Sequence, residues 1–217
     1  MTNSTKGTTL VELMIYVTLL AILGGSVVLT VGTASNSVKV GTADSRVNSL
    51  ATEAMDLVAA RLAAASFDTL TPPPPGATST VEYRRVVDFA AGTAVLSNLE
   101  RIEMQASPGD PDDGVDNDGD GLIDECRLVL VEDVGLPTER TIVISNWVRE
   151  AIQGEIPGNM VDDNGNGLVD EGGFLLESDA SSRGIVVRLT IEQRAPRMSV
   201  PLTCTLARTV TVHASDL

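Results

Sequence analysis

The sequence predicts an α+β fold: a long N-terminal helix, half membrane segment and half amphipathic, packed on an antiparallel β-sheet head with two acidic insertions. Three observations lead there. Residues 8–32 form an apolar run with one charged member, Glu12. After the prolines Pro72 to Pro75, short segments rich in Val, Ile, Leu and Thr recur without helical stretches between most of them. Two aspartate-rich segments, 110–125 and 160–171, interrupt that region. With 217 residues, 43% of them hydrophobic, the chain can bury one sizeable core plus an appended segment.

The first element is the apolar run. Its 25 residues, as a helix, extend roughly 38 Å, enough to cross the hydrocarbon core of a bilayer. A secretory signal also opens on a basic residue and an apolar stretch, and Gly32-Thr33-Ala34 has the small residues of a cleavage site. This run is longer than the roughly 7–15 residues of a signal's middle region, and it carries a carboxylate near its start, where insertion into lipid is costly.

The stretch Lys6-Gly7-Thr8-Thr9-Leu10-Val11-Glu12-Leu13-Met14 resembles the prepilin motif of the type IV pilin-like family, in which a short basic leader ends in Gly and the fifth residue after it is Glu. The resemblance implies that residues 1–7 are a leader, cut between Gly7 and Thr8 by a prepilin peptidase on the cytoplasmic side. It also implies methylation of the new amine at Thr8. Pilins most often begin the mature chain with Phe, and Thr8 stands there in this sequence. The implied partners are other pilins or pseudopilins in a filament, the peptidase, and an inner-membrane assembly platform. The implied location is the inner membrane, crossed once with the head in the periplasm, and then a filament or the cell surface. A carboxylate in hydrocarbon is costly unless paired, and the Thr8 amine of a neighbouring subunit is a suitable partner. Glu12 then sets axial register. The plainer alternative leaves Glu12 at the interfacial end of an ordinary anchor.

Residues 33–70 are expected to continue the helix with an amphipathic pattern. Apolar groups recur at helical spacing at Val47, Leu50, Ala54, Leu57, Val58, the Arg61 stem, Leu62 and Ala65, and Asp44 is a candidate cap for this stretch. The outcome is one helix from about residue 9 to 66, loosened near Gly24-Gly25 or between Gly32 and Gly41. The proline run then stops any helix.

The head, residues 71–217, is expected to hold strands at 80–88, 93–96, 99–104, 126–132, 141–145, 185–193 and 202–213, with Gly92 in a hairpin and a short helical turn at 147–152. The pattern Tyr83-Arg84-Arg85-Val86-Val87-Asp88, then Leu99-Glu100-Arg101, resembles the first strands of J-type minor pseudopilins and related minor pilins.

Within the first acidic segment, Asp116-Asn117-Asp118-Gly119-Asp120-Gly121-Leu122-Ile123-Asp124-Glu125 places oxygen ligands at alternate positions with Gly at position six. Alternate side chains in a tight loop point at one centre, and hard oxygen donors suit Ca²⁺ far better than Zn²⁺. The expected side-chain ligands are Asp116, Asp118, Asp120 and Asp124, with the backbone oxygen of Leu122. The second segment repeats the pattern in phase: Asp162, Asn164, Asn166, the Leu168 carbonyl and Asp170. Two calcium ions are expected, the second held more weakly because of its asparagines. Arg127 and Gly173 stand where an EF-hand loop has its bidentate Glu, so the closing ligand comes from elsewhere. Glu125 and Glu171 are candidates, as are Asp112 and Asp113 for the first loop. A pair of solvated turns is the alternative, since Asn-Gly and Asp-Gly are strong turn formers.

The two cysteines, Cys126 and Cys204, lack metal-ligand spacing, and a single disulfide between them is the natural reading in an oxidising compartment. A net charge of −15 argues against nucleic acid as a partner and for cations. Nothing points to an enzyme: the only histidine, His213, falls in an expected strand, and no nucleophile motif is present. The structural-subunit reading competes with a membrane-anchored extracytoplasmic calcium-binding or adhesive protein that never assembles. Pilus, type II secretion and competence subunits share the same leader, and the sequence does not separate them.

Overall fold

The computed structural model describes residues 9–73, 76–90, 92–152, 154–165, 168–178, 183–194 and 200–212. Gly7, Thr8, Asn166 and His213 lie outside the described residues. The chain divides into two compact units, Met1–Thr42 and Ala43–Leu217. A helix, α1, occupies Leu10–Ala63 and so contributes to both.

In the first unit α1 carries no charged residue from Leu13 to Gly32. Its large side chains, among them Leu10, Leu13, Ile15, Leu20, Leu23 and Leu29, are exposed. It is long and apolar enough to span a membrane. Its hydroxyls are satisfied within the helix: Thr18 donates to the Met14 carbonyl at 2.7 Å and Thr30 to that of Ser26 at 2.8 Å. Internal pairing of this kind is what a polar group in hydrocarbon requires. The helix is unbroken at Gly24, Gly25, Gly32 and Gly41, so the expected loosening is absent, and Asp44 is interior, not a cap. Its first turn is a capping box. The Thr9 N–H and hydroxyl both donate to Glu12 Oε2, at 2.9 and 3.1 Å, and the Glu12 N–H donates to Thr9 Oγ1 at 3.3 Å.

In the second unit α1 turns amphipathic and buries Val47, Ala51, Ala54, Met55, Val58, Ala59 and Leu62, one stripe at three- and four-residue spacing. Leu57, expected inside, is exposed. The stripe shares one core with Tyr83, Ile102, Leu128, Leu130, Phe174, Leu189 and Ile191 of the sheet. Arg61 adds a charged link, with Nη1 3.0 Å from Glu132 and 3.6 Å from Glu100.

The sheet is antiparallel throughout. Its strands are β1 Gly76–Thr78, β2 Thr80–Tyr83, β5 Glu100–Ala106, β6 Cys126–Glu132, β7 Arg140–Val148, β8 Phe174–Ser178, β9 Gly184–Gln193 and β10 Leu202–Thr211, in the order β1-β8-β9-β7-β6-β5-β2, with β10 also on β9. A separate hairpin pairs β3 Val86–Ala90 with β4 Thr93–Leu96 around Gly92, whose φ of 82° suits glycine. Expected strand 80–88 therefore divides at Arg84-Arg85, where the chain leaves the main sheet. No helical turn forms at 147–152: Trp147 and Val148 end β7, and Ala151 bridges to Gly172. Strands β1 and β8 have no counterpart among the expected segments.

The expected Cys126–Cys204 disulfide is absent, and both thiols are free. The register explains why. Cys126 stands opposite Val148, Val148 opposite Ile191, and Ile191 opposite Cys204. Three strand spacings separate the sulfurs' backbones by about 14 Å, twice the reach of a disulfide.

Candidate metal centre

Both acidic segments leave the sheet from the same row of residues. The first links Ala106 of β5 to Cys126 of β6, which face each other across the ladder. The second links Val148 of β7 to Phe174 of β8; Val148 pairs with Ile191, and Phe174 with Leu189, on β9. Antiparallel pairing thus brings two loops distant in sequence to one end of the sheet.

Their necks are closed alike. In the first, the Ser107 N–H donates to the Glu125 carbonyl and the Asp110 N–H to that of Ser107; in the second, the Ile152 N–H donates to Glu171 and the Glu155 N–H to Ile152. Gly173 fits the second neck because a Cβ there would lie 2.0 Å from the Arg149 carbonyl oxygen.

Beyond the necks the loops again match. Gly119 and Gly165 have φ near 78° and 74°, and each donates its N–H to the first aspartate of its loop, Asp116 at 2.7 Å and Asp162 at 2.6 Å. Asp124 and Asp170 both adopt positive φ and accept backbone N–H groups at the loop entrance, from Asp113 and Gly114 in one case and from Asn159 and Met160 in the other. These two aspartates therefore fasten the loops to themselves.

Asp116, Asp118 and Asp120 do converge. Each brings a carboxylate oxygen within 4.8 Å of the others, and the group could hold a metal ion. Leu122, whose carbonyl was expected to join them, is buried and donates its N–H to Asp120 at 2.8 Å. In the second loop Asp162 and Leu168 are half-buried and Asn164 is exposed.

Four further acids escaped sequence reasoning as a set. Asp110, Glu125, Glu155 and Glu171 are 0%, 2%, 3% and 5% exposed, two buried acids at the neck of each loop. Asp110 Oδ1 accepts the Asn117 N–H at 2.7 Å, and Glu155 Oε1 accepts that of Asn164 at 2.9 Å. No N–H or hydroxyl group among the described residues reaches Asp110 Oδ2, Glu125 Oε2 or Glu155 Oε2, and Asp110 and Glu125 have each other's carboxyl within hydrogen-bond reach. Burial, then the neighbouring Asp110 carboxyl, push Glu125 up to about 8, while the Asn117 N–H holds Asp110 below the usual carboxylate range. Position alone makes Glu125 and Glu171 candidate ligands. Asp110 and Glu155 are not among the expected ligands, although each precedes its loop within two residues of a proline, in Asp110-Pro111 and Glu155-Ile156-Pro157. Asp113, by contrast, is an exposed turn residue accepting the Val115 N–H.

Between the loops lies a cleft of about 400 Å³ lined by Asp112 and Asp124 from one side and Asp170 from the other, with Glu150 beside them. Burial and then the charges of Asp112 and Asp124 raise Glu150.

No protein-family model, curated protein or solved structure matches this chain. The chemistry of the residues themselves carries the functional reading.

Proposed function

We propose that the chain is a structural subunit of the type IV pilin-like kind, a minor pilin or pseudopilin. Its α1 start anchors it in the inner membrane and later packs in a filament, and its periplasmic head is stabilised by calcium, with one ion in each acidic loop. The observation that carries the assembly half is the pairing of a prepilin-like start, Lys6-Gly7 with Glu12, with a helix whose exposed surface is uncharged and mostly apolar from Leu13 to Val31. Such a surface needs lipid or other helices around it. The calcium half is supported by Asp116, Asp118 and Asp120, whose hard oxygens converge at a spacing that repels without a cation between them.

Processing decides between this reading and a membrane-anchored calcium-binding or adhesive protein that never assembles. With a prepilin peptidase present, the mature N-terminus should begin at Thr8, and a Gly7→Leu chain should keep its leader, read as intact mass. A wild-type chain that retains residues 1–7 would remove the filament reading and leave the anchored alternative. For the head, a bound cation favours the folded state, by about 2.7 kcal/mol at a hundredfold excess over Kd. The melting temperature in millimolar CaCl₂ should therefore exceed that in chelator, and equal midpoints would contradict both calcium sites.

A further inference from the structure

Three aspartates at alternate positions supply too few oxygens for a calcium ion, which takes 6–8. The loop's twelfth position, where a bidentate Glu is needed, holds Arg127, and Arg127 is engaged elsewhere, on Gln105 at 2.8 Å. Directly behind the loop, however, sit two carboxylates that packing alone does not account for. Asp110 and Glu125 are withdrawn from water and stand within hydrogen-bond reach of each other, while no N–H group among the described residues reaches Asp110 Oδ2 or Glu125 Oε2. Two acids held side by side away from water destabilise a fold unless a proton or a cation lies between them.

Their placement relates them to the cluster. Asp110 is hydrogen-bonded to Asn117, the residue between Asp116 and Asp118. The adjoining Gly109 lies so close that a Cβ there would stand 3.4 Å from the Asp118 Cβ. The second loop repeats the device with a different residue: Glu155 gives one oxygen to the Asn164 N–H, and its other oxygen has no donor among the described residues.

We infer that Asp110 and Glu125 close the cation site of the first loop, adding buried carboxylates beneath Asp116, Asp118 and Asp120. The ligand set is then split between the loop and its neck, and it suits a hard divalent cation of calcium's size. This rests on the reading of the aspartate cluster as a cation site.

Asp110→Asn is the informative variant. Its amide keeps an oxygen for the Asn117 N–H and turns an N–H₂ toward Glu125, so it removes a ligand while relieving the metal-free repulsion. In the whole chain in detergent, D110N should melt in chelator at or above the wild-type temperature. Calorimetric titration with CaCl₂ should show D110N and Glu125→Gln each losing one ion, or binding it at least about tenfold more weakly. Asp118→Asn should lose the same ion. If D110N and E125Q bind as wild type while D118N loses its ion, closure by the buried pair is overturned and the loop reading stands. If wild type binds no ion, the loop reading itself falls. A D110N chain that melts lower in chelator and keeps wild-type affinity marks a purely structural acid and also overturns the proposal. Should D110N fail to fold, E125Q, which keeps the shape of its side chain, carries the test alone.

Discussion

Cys126 faces the core from β6 beside the acidic loops. Burial, then the charges of Glu150 and Asp112, push its thiol up to about 11. Cys204, half-buried on β10, is raised less, by burial and then Asp44. The nucleophile is the thiolate, so a raised pKa lowers reactivity at pH 8, most of all where access is also blocked. Iodoacetamide should therefore modify Cys204 first in the folded chain and Cys126 only after denaturation, with two thiols titrated when no reductant is present. A chain that shows none without reductant would restore the disulfide. Cysteine number, on which the expected pairing rests, carries no distance; strand register, a non-local property, supplies it. Asp116, Asp118 and Asp120 were legible for the opposite reason, because a loop of alternating aspartates converges through purely local geometry. Asp110 and Glu155 were not, since what distinguishes them is burial imposed by a neck closed across many residues.

At the scale of elements, the second half of α1 shows what periodicity can and cannot fix. The stripe Val47, Ala54, Val58 and Leu62 was legible, because residues three and four apart share a helix face. Leu57 was misplaced because a wide apolar band leaves its edges undecided until the sheet is in place. Leu62, fully buried, touches the core at the end of the helix, so Leu62→Ala should destabilise the head by about 2–5 kcal/mol. Leu57→Ala should change it by no more than about 0.5 kcal/mol. Thermal melts of both variants in the same calcium concentration check the contrast, and equal losses would mean the helix face is assigned wrongly. Strand β8 escaped notice because Gly172-Gly173 reads as a break. Its glycines are required instead by close approach, Gly173 to the Arg149 backbone and Gly172 to Met104. Strand β1 has only three residues and owes its pairing to β8.

At the scale of the whole molecule, the proposed subunit role turns on Glu12, which has one partner in the chain and another proposed outside it. Within the chain it completes a capping box with Thr9, which satisfies backbone groups at the start of the helix. A box of this kind accepts Gln as readily as Glu, since only the reach back to the Thr9 N–H matters. Pairing with the amine of a neighbouring subunit in hydrocarbon, on the other hand, depends on the charge itself, because an unpaired amine there is strongly disfavoured. Glu12→Gln therefore separates the two roles: it keeps the cap and removes the charge. Thr9→Ala does the reverse. E12Q should reach the membrane at the wild-type level yet enter sheared filaments at least about tenfold less, as a lost charge pair in lipid requires. T9A should assemble nearly as wild type. If E12Q assembles as wild type while T9A does not, Glu12 serves its own helix only, and the register of the filament must be set by the apolar surface of α1 alone.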